Sequence, residues 1–345
     1  MSNENDVKKP LTITDVAKLA DVSITTVSRV LNDSSNVSKK TRRKVLQVIK
    51  AVNYSPNEMA RGLATNNSNT IGLLIPQIMN SYYSELIRSI EKSVSARGFS
   101  LLLCITNSEK EKEEYYIDDM IRRRVCGIII LSTKIDDEVM IRRMKNSTEI
   151  VSVDADIQDV DRINVDSEQG TYQVVKYLLE NGHKKIGFVG YQFFLSSLRK
   201  RVDGYCKALN DYGVPINQDY IIEGEHVFNP GYSMALQLLK LKDPPTAIHC
   251  INEYCASGVY MALMERGLKI PEDISVTAFD GLETSKLLVP GLTTAVMPIA
   301  SMGAAAADML IQNIKDRRSG VKKHAAQKMM MFPVKLKIGG SVRKI

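Results

Sequence analysis

The stretch from Thr12 to Leu31, T-I-T-D-V-A-K-L-A-D-V-S-I-T-T-V-S-R-V-L, reads as two short helices joined by a tight turn. Thr12 and Asp15 are spaced as a capping box: the cap hydroxyl accepts from the amide three residues on, and the carboxylate there reaches back. Val16, Leu19 and Ala20 recur at three- and four-residue spacing and give one apolar face. Asp21-Val22 then leads into Ser23, a second cap residue. Val27, Val30 and Leu31 would point at the first helix, leaving Ile24, Thr25, Ser28 and Arg29 outward near the start of the second. That face is short-chained and hydroxyl-rich, where a merely solvated helix would carry Glu and Lys, and the turn is only about three residues long. Arginine can take guanine in a bidentate contact, isoleucine and threonine methyls pack on thymine methyls, and hydroxyls bond bases or phosphates. The pattern predicts a helix-turn-helix whose second helix enters a DNA groove. An ordinary helical hairpin with a polar outer face is the competing reading.

Working outward, Ser38 caps a third helix whose apolar positions are Val45, Leu46, Val48, Ile49 and Val52. Lys39, Lys40, Arg42, Arg43 and Lys44 ride on it, available to phosphates or to solvent. In the segment Tyr54-Ser55-Pro56-Asn57-Glu58-Met59-Ala60-Arg61-Gly62-Leu63, Ser55 and Glu58 form another capping box and Pro56 sits at the first helical position. That helix ends before Thr65-Asn66-Asn67-Ser68-Asn69, so it is shorter than the roughly 12–15 residues an autonomous helix needs. It is expected to fold only conditionally.

The first 65 residues hold 11 Lys and Arg against 6 Asp and Glu, which places most of the net charge of +7 on the N-terminal segment. A small basic head on a nearly neutral body suits nucleic-acid binding. The five cysteines (Cys104, Cys126, Cys206, Cys250, Cys255) are scattered and odd in number, as expected of reduced thiols in a cytoplasmic protein. The four histidines lie far apart, so no metal and no cofactor are expected. With no apolar leader and no run of 18 apolar residues, neither export nor a membrane partner is expected.

From Ile71 onward strands and helices alternate. The candidate strands are Ile71–Ile75, Ser100–Ile105, Gly127–Leu131, Ile150–Val153, Ile186–Val189, Tyr220–Glu223, Ala247–Ile251 and Ser275–Phe279. Met329–Met331 reads as further buried strand. Short apolar strands separated by helices indicate parallel sheets covered on both faces. Eight units with a break near Asn164–Asp166 predict two doubly wound subdomains. In such sheets ligands sit beyond the carboxyl ends of the strands. The loops there carry Asn80-Ser81-Tyr82-Tyr83, Thr106-Asn107-Ser108, Ser132, Asp154, Gln192-Phe193, Glu225, Asn252-Glu253 and Asp280, with Arg201 on a following helix. Amides and carboxylates bond hydroxyls and rings pack on C–H faces, so the set suits a sugar or polyol. Enzyme readings lack support: no G-x-G-x-x-G follows the first strand, and neither G-x-x-x-x-G-K-[ST] nor G-x-S-x-G occurs.

Taken together, T-I-T-D-V-A-K-L-A-D-V-S-I-T-T-V-S-R-V-L-N, V-S-K-K-T-R-R-K-V and N-Y-S-P-N-E-M-A-R-G-L resemble the lactose-repressor (LacI/GalR) family of bacterial transcription factors. Weaker echoes follow in Ile71-Gly72-Leu73, Gly182-His183-Lys184-Lys185-Ile186, Arg201-Val-Asp-Gly204-Tyr205, Phe279-Asp280 and Leu292-Thr293-Thr294. The resemblance implies an α/β architecture: a three-helix helix-turn-helix domain (10–55), a hinge helix and linker (56–69), and a periplasmic-binding-protein-like body (70–345). In that body an N-subdomain would span about 70–164 and 294–325 and a C-subdomain about 165–293 and 326–345, with three crossings between them. It implies that Ile24, Thr25 and Arg29 read major-groove bases, with Ser23, Thr26 and Ser28 beside them or near phosphates. Asn57, Ala60 and Arg61 would belong to the minor-groove hinge, and Leu63 would be the wedge that kinks the central step.

For the effector the same resemblance implies Arg201 and Asp280, with Tyr82, Asn252 and Glu253 in the corresponding loops. Asn107, Ser132, Gln192 and Phe193 complete the expected set. The implied partners are double-stranded operator DNA, a small sugar-like effector and a second copy of the chain, with no enzymatic activity. A transport-type sugar-binding protein is the first alternative. The second is a global catabolite regulator with a protein corepressor, disfavoured because Ala300-Ser301 and Asp308 stand where that branch has its Tyr-Asp pair and Arg.

Overall fold

The computed structural model describes residues 11–31, 36–54, 68–131, 138–191, 193, 195–224, 230–321 and 327–345. They form two units, divided after Ser68.

In the first unit, α1 (Ile13–Leu19), α2 (Ile24–Leu31) and α3 (Lys39–Ala51) enclose Val16, Ala17, Ala20, Val27, Val30 and Val45. The local signals are formed. The Asp15 carboxylate accepts from the Thr12 amide at 2.8 Å and hydroxyl at 2.7 Å, Ser23 Oγ accepts from the Thr26 amide at 3.1 Å, and Ser38 Oγ from the Thr41 amide at 3.2 Å. Asp21 holds the turn at φ +48°, a left-handed conformation that Asp tolerates better than most residues. Two leucines expected in the core are outside it: Leu19 is 57% and Leu46 48% exposed. Val16, Ala17 and Ala20 already fill the inward arc of α1, so Leu19 falls a step round the helix, and Leu46 stands about 100° from Val45 on α3.

The body begins with β1 (Thr70–Ile75), α4 (Ser81–Ser95), β2 (Ser100–Ile105), α5 (Lys110–Arg122), β3 (Gly127–Leu131), α6 (Glu138–Ser147), β4 (Glu149–Val153) and β5 (Asp161–Val165). Next come α7 (Ser167–Glu180), β6 (Ile186–Gly190), α8 (Ser196–Asp211), β7 (Ile221–Glu223), α9 (Pro230–Leu239), β8 (Ala247–Cys250), α10 (Glu253–Glu265), β9 (Ser275–Asp280) and β10 (Thr293–Val296). The last elements are α11 (Ile299–Arg318), β11 (Met329–Phe332) and β12 (Lys335–Lys337). One sheet has the order β11-β5-β4-β3-β1-β2 and the other β12-β10-β9-β8-β6-β7. All pairings are parallel except β12 on β10. The apolar strands are covered on both faces, as the run Ile128, Ile129, Ile130 at the centre of the first sheet requires.

Two boundaries differ from expectation. The strand Thr293–Val296, assigned above from residue 294 onward to the N-subdomain, pairs with β9 in the second sheet. The segment Met329–Phe332, assigned to the C-subdomain, pairs with β5 in the first. Both crossovers therefore lie further along the chain, one just before α11 and one at Pro333-Val334. Met329, Met330 and Met331 are strand but not buried, being 59%, 42% and 46% exposed, because β11 lies at the sheet edge.

Helices α7 and α8 approach so closely at Gly204 that a Cβ there would lie 2.2 Å from the Glu168 carbonyl oxygen. The obstacle is backbone and cannot turn aside. Gly204→Ala should cost about 1–3 kcal/mol as overpacking and lower the melting temperature by several degrees in a thermal unfolding scan. An unchanged midpoint would show that the two helices can separate without cost.

Candidate functional site

The outward face of α2 is presented as expected: Ile24, Thr25 and Arg29 are exposed, and so is Ser23, while Thr26 and Ser28 are half-buried. Thr26 is held in the cap, its Oγ1 2.9 Å from Ser23 Oγ. The hinge positions Asn57, Ala60, Arg61 and Leu63 lie outside the described residues, as do Ser132 and Gln192. On α3, Lys39, Arg42, Arg43 and Lys50 surround the exposed Leu46.

In the body, the carboxyl ends of both sheets converge on a cavity of about 30 Å³. Tyr82 and Tyr83 reach it from the start of α4, Ser108 from the loop after β2 and Asp154 from the loop after β4. Tyr191, Ser197, Arg201, Asn252 and Asp280 come from the second sheet and α8. A space of this size holds a few waters at most. A ligand of sugar size therefore needs the two sides to part.

Arg201 and Asp280 are each 3% exposed at the side chain and pair at 3.1 Å. The guanidinium also donates to the Ile251 carbonyl and lies 3.8 Å above the centre of the Phe279 ring. Among the described residues, two atoms of this buried pair, Arg201 Nε and Asp280 Oδ2, have no hydrogen-bond partner. Leaving a donor and an acceptor dry costs about 1–3 kcal/mol each. A hydroxyl, which can donate to one and accept from the other, would recover both. Burial, only partly offset by Arg201, pushes the Asp280 carboxyl up to about 7. Asp154, buried beside Tyr82 Oη at 3.4 Å, is also raised by burial, with Arg201 and Ser197 opposing. Both cleft aspartates have positive φ, +125° for Asp280 and +53° for Asp154, conformations that non-glycine residues keep only where the surroundings enforce them. Burial raises the Tyr82 and Tyr191 hydroxyls as well, so both stay protonated and able to donate.

Asn252 caps α10 through its oxygen, which accepts from the Cys255 amide at 2.8 Å, and gives its nitrogen to Tyr191 Oη at 2.6 Å. Three expected effector residues are elsewhere. Glu253 accepts from the Gly281 amide at 3.1 Å and the Leu282 amide at 2.8 Å, so its carboxylate braces the loop after β9 instead of entering the cleft. Phe193 turns inward onto Phe188, ring centres 5.8 Å apart, because the apolar core is a better environment for it than the rim. Asn107, at φ +55°, is exposed, and its neighbour Ser108 lines the cavity. Asp154, Tyr83 and Ser108, already among the strand-end loop residues, line the cavity as well, whereas Tyr191 and Ser197 are not singled out by the sequence. Their positions just past strand ends or in the first turn of the following helix were the available signal.

Residues 12–57 match the family described as bacterial regulatory proteins, lacI family, and residues 68–336 the family described as periplasmic binding proteins and sugar binding domain of LacI family. The HTH-type transcriptional repressor PurR of Vibrio vulnificus (strain CMCP6) is 34% identical over 338 residues, 97% of this chain and 99% of that protein. Catabolite control protein A of Priestia megaterium is 36% identical over 304 residues, 87% of this chain and 91% of that one. Among solved structures, the lac repressor dimer bound to operator and the anti-inducer ONPF is similar with a TM-score of 0.85 and 28% identity, covering 97% of this chain and 100% of that one. A helix-turn-helix unit followed by a two-sheet binding body defines a DNA-binding transcriptional repressor. The chain belongs to the LacI family. Among the described residues, no helix is long and apolar enough to cross a membrane.

The buried carboxyl gives the body a pH signature. Its folded value of about 7 lies above the ordinary 3.8, so the native state keeps a proton that the unfolded chain has lost. The stability this contributes is complete below about pH 4 and is lost as pH rises through about 7. His249, buried neutral and lowered to about 3, works in the opposite sense and costs stability as pH falls below its ordinary 6.5. A difference measurement separates them. Between about pH 5 and pH 8 the native protein should lose at least about 3 °C of melting temperature relative to Asp280→Asn. Parallel profiles would show the carboxyl ionised throughout.

Proposed function

We propose that this chain is a homodimeric repressor of carbohydrate-utilisation genes whose operator affinity is set by a small polyhydroxylated effector held between the two sheets of the body. The observation that carries the effector class is the buried Arg201–Asp280 pair with its free Nε and Oδ2. Around it stand a second carboxyl, Asp154, and the neutral groups Ser197, Asn252, Tyr82 and Tyr191. Two acidic groups and one cation among the described lining residues favour hydroxyls over phosphate, since a phosphate there would face Asp154 and Asp280 with Arg201 to neutralise it. Tyr82 and Tyr83, edge to face with ring centres 5.1 Å apart, support a second reading, a planar purine-like base. On the α11 surface Asp308 is ion-paired with Arg97 and the Ala300 carbonyl accepts from Ser89 at 2.6 Å, which favours control by a small molecule over a docked corepressor protein.

On the DNA side, Ile24, Thr25, Ser28 and Arg29 are proposed to read bases, with Ser23 and Thr26 near phosphates. The segment 56–69, including Asn57, Ala60, Arg61 and Leu63, is proposed to order against the minor groove. A two-fold dimer then binds a near-palindromic operator. The effector shifts the population of body arrangements, and this decides whether the linker folds.

Thermal-shift screening of the full chain against neutral sugars, sugar phosphates and purine bases, followed by operator binding with each hit, tests the reading. Neutral sugars should raise the midpoint and change operator affinity; stabilisation by purines alone would establish the second reading. Arg29→Ala should cost about 1–3 kcal/mol on the preferred operator and relax specificity at one base pair. An unchanged footprint would remove Arg29 from base reading. With about 6–10 phosphates neutralised, affinity should fall about 10³- to 10⁵-fold between about 50 and 200 mM salt.

A further inference from the structure

Helix α8 belongs to the second sheet's layer, yet its first two turns meet the loop after β4 of the first sheet. The contacts come in two rows. Ser197 bonds Asp154 and Arg201 faces it, inside the cleft. Ser196 and Lys200, one position earlier in each turn, engage Asp156: Ser196 donates a side-chain hydrogen bond, and Lys200 Nζ lies 2.7 Å from Oδ2. These positions are four residues apart within each row, so they stack on one face of the helix. Two aspartates two residues apart in one loop are thus read by adjacent stripes of one helix.

The outer row is a contact between the two halves of the body and does not line the cavity. Asp156 is set firmly on its own side, accepting from Asn164 Nδ2 at 2.9 Å and lying 3.6 Å from Arg162 Nη1. Ala155 and Ile157 on either side of it are buried in the first subdomain's core. Lys200 is equally fixed to the second, since Val202 and Tyr205 on the same helix are buried in that core. On the far rim a lighter contact also spans the halves, Thr284 Oγ1 to Ser81 Oγ at 3.4 Å. Parting the halves enough to admit a ligand therefore stretches the Lys200–Asp156 ion pair, while Arg201, the next residue, is released towards the incoming molecule.

We propose that Lys200 and Asp156 form a closure latch: an ion pair outside the ligand site that sets the balance between the closed and open body, and so sets effector sensitivity without touching the effector. Arg201 reads the ligand and Lys200 sets how readily the cleft opens for it. The side chains are 41% and 31% exposed, so the latch is weak and screened by salt. A weak latch suits a balance that a small molecule must tip. Its loss should increase the open population about two- to fivefold.

This inference holds whichever effector class the cleft takes, and its test uses no ligand. Amide hydrogen exchange is followed on the full chain for native protein, Lys200→Met, Lys200→Glu and the exchanged pair Lys200→Glu with Asp156→Lys. Segments 76–84, 152–157 and 195–201 should exchange about two- to fivefold faster in Lys200→Met and faster still in Lys200→Glu, with β3 and α7 unchanged as the folding control. The exchanged pair should return towards native rates. Raising salt from about 50 to 500 mM should accelerate those segments in native protein and leave Lys200→Met unaffected. Native rates in Lys200→Glu would overturn the latch, and so would failure of the exchanged pair to restore protection. A negative sugar screen would bear only on the effector class.

Discussion

Each sheet of the body is finished by a strand that arrives only after the chain has passed through the other sheet. β11 closes the first sheet against β5, and β12 closes the second against β10. Neither half corresponds to one continuous run of sequence, and three connections join them: after β5, before α11, and at Pro333-Val334. Long-range strand pairing, parallel in the first sheet and antiparallel in the second, must be complete before either half is whole, which ties the two halves into one cooperative body. Among the described residues these three connections are the only chain crossings between the halves, and each lies outside the strands, so a rotation about them would break no strand pairing. The cleft lies where such rotation has most effect, at the carboxyl ends of the strands.

How much of this was legible in the sequence depended on how local the determining physics was. The helix-turn-helix was legible because caps and helical spacing act within four residues: Thr12, Asp15, Ser23 and Ser38 all do what their positions imply. Strands β1 to β4 were legible as apolar runs. Strands β5 (Asp161–Val165), β10 (Thr293–Val296) and β12 (Lys335–Lys337) were not, because D-R-I-N-V, T-T-A-V and K-L-K are short and carry little hydrophobic signal. The exposure of Leu19 and Leu46 follows from which residues occupy the inward arc of a small three-helix core, a fact about packing and not about spacing.

The candidate site divides in the same way. Arg201, Asp280, Asn252 and Tyr82 stand where strand-end position and family resemblance placed them. Phe193 and Glu253 do not, since a side chain on a strand-end loop can turn towards the core or its own backbone as readily as towards the cleft. The electrostatics were hidden from sequence altogether. A carboxyl brought to about 7 requires burial beside other acids, Glu253 and Asp154, only partly offset by a guanidinium, and that arrangement exists only after both halves are built.

Glu253 bears on how such proteins diversify. Its carboxylate is spent on two backbone amides, Gly281 and Leu282, and it fixes the approach of the Asp280 loop without lining the cavity. Main-chain groups are present whatever side chains surround them. Replacements around the cleft can therefore change which small molecule is welcomed while the loop's anchorage stays intact, so chemical preference and mechanical framework are free to drift independently from one descendant to the next.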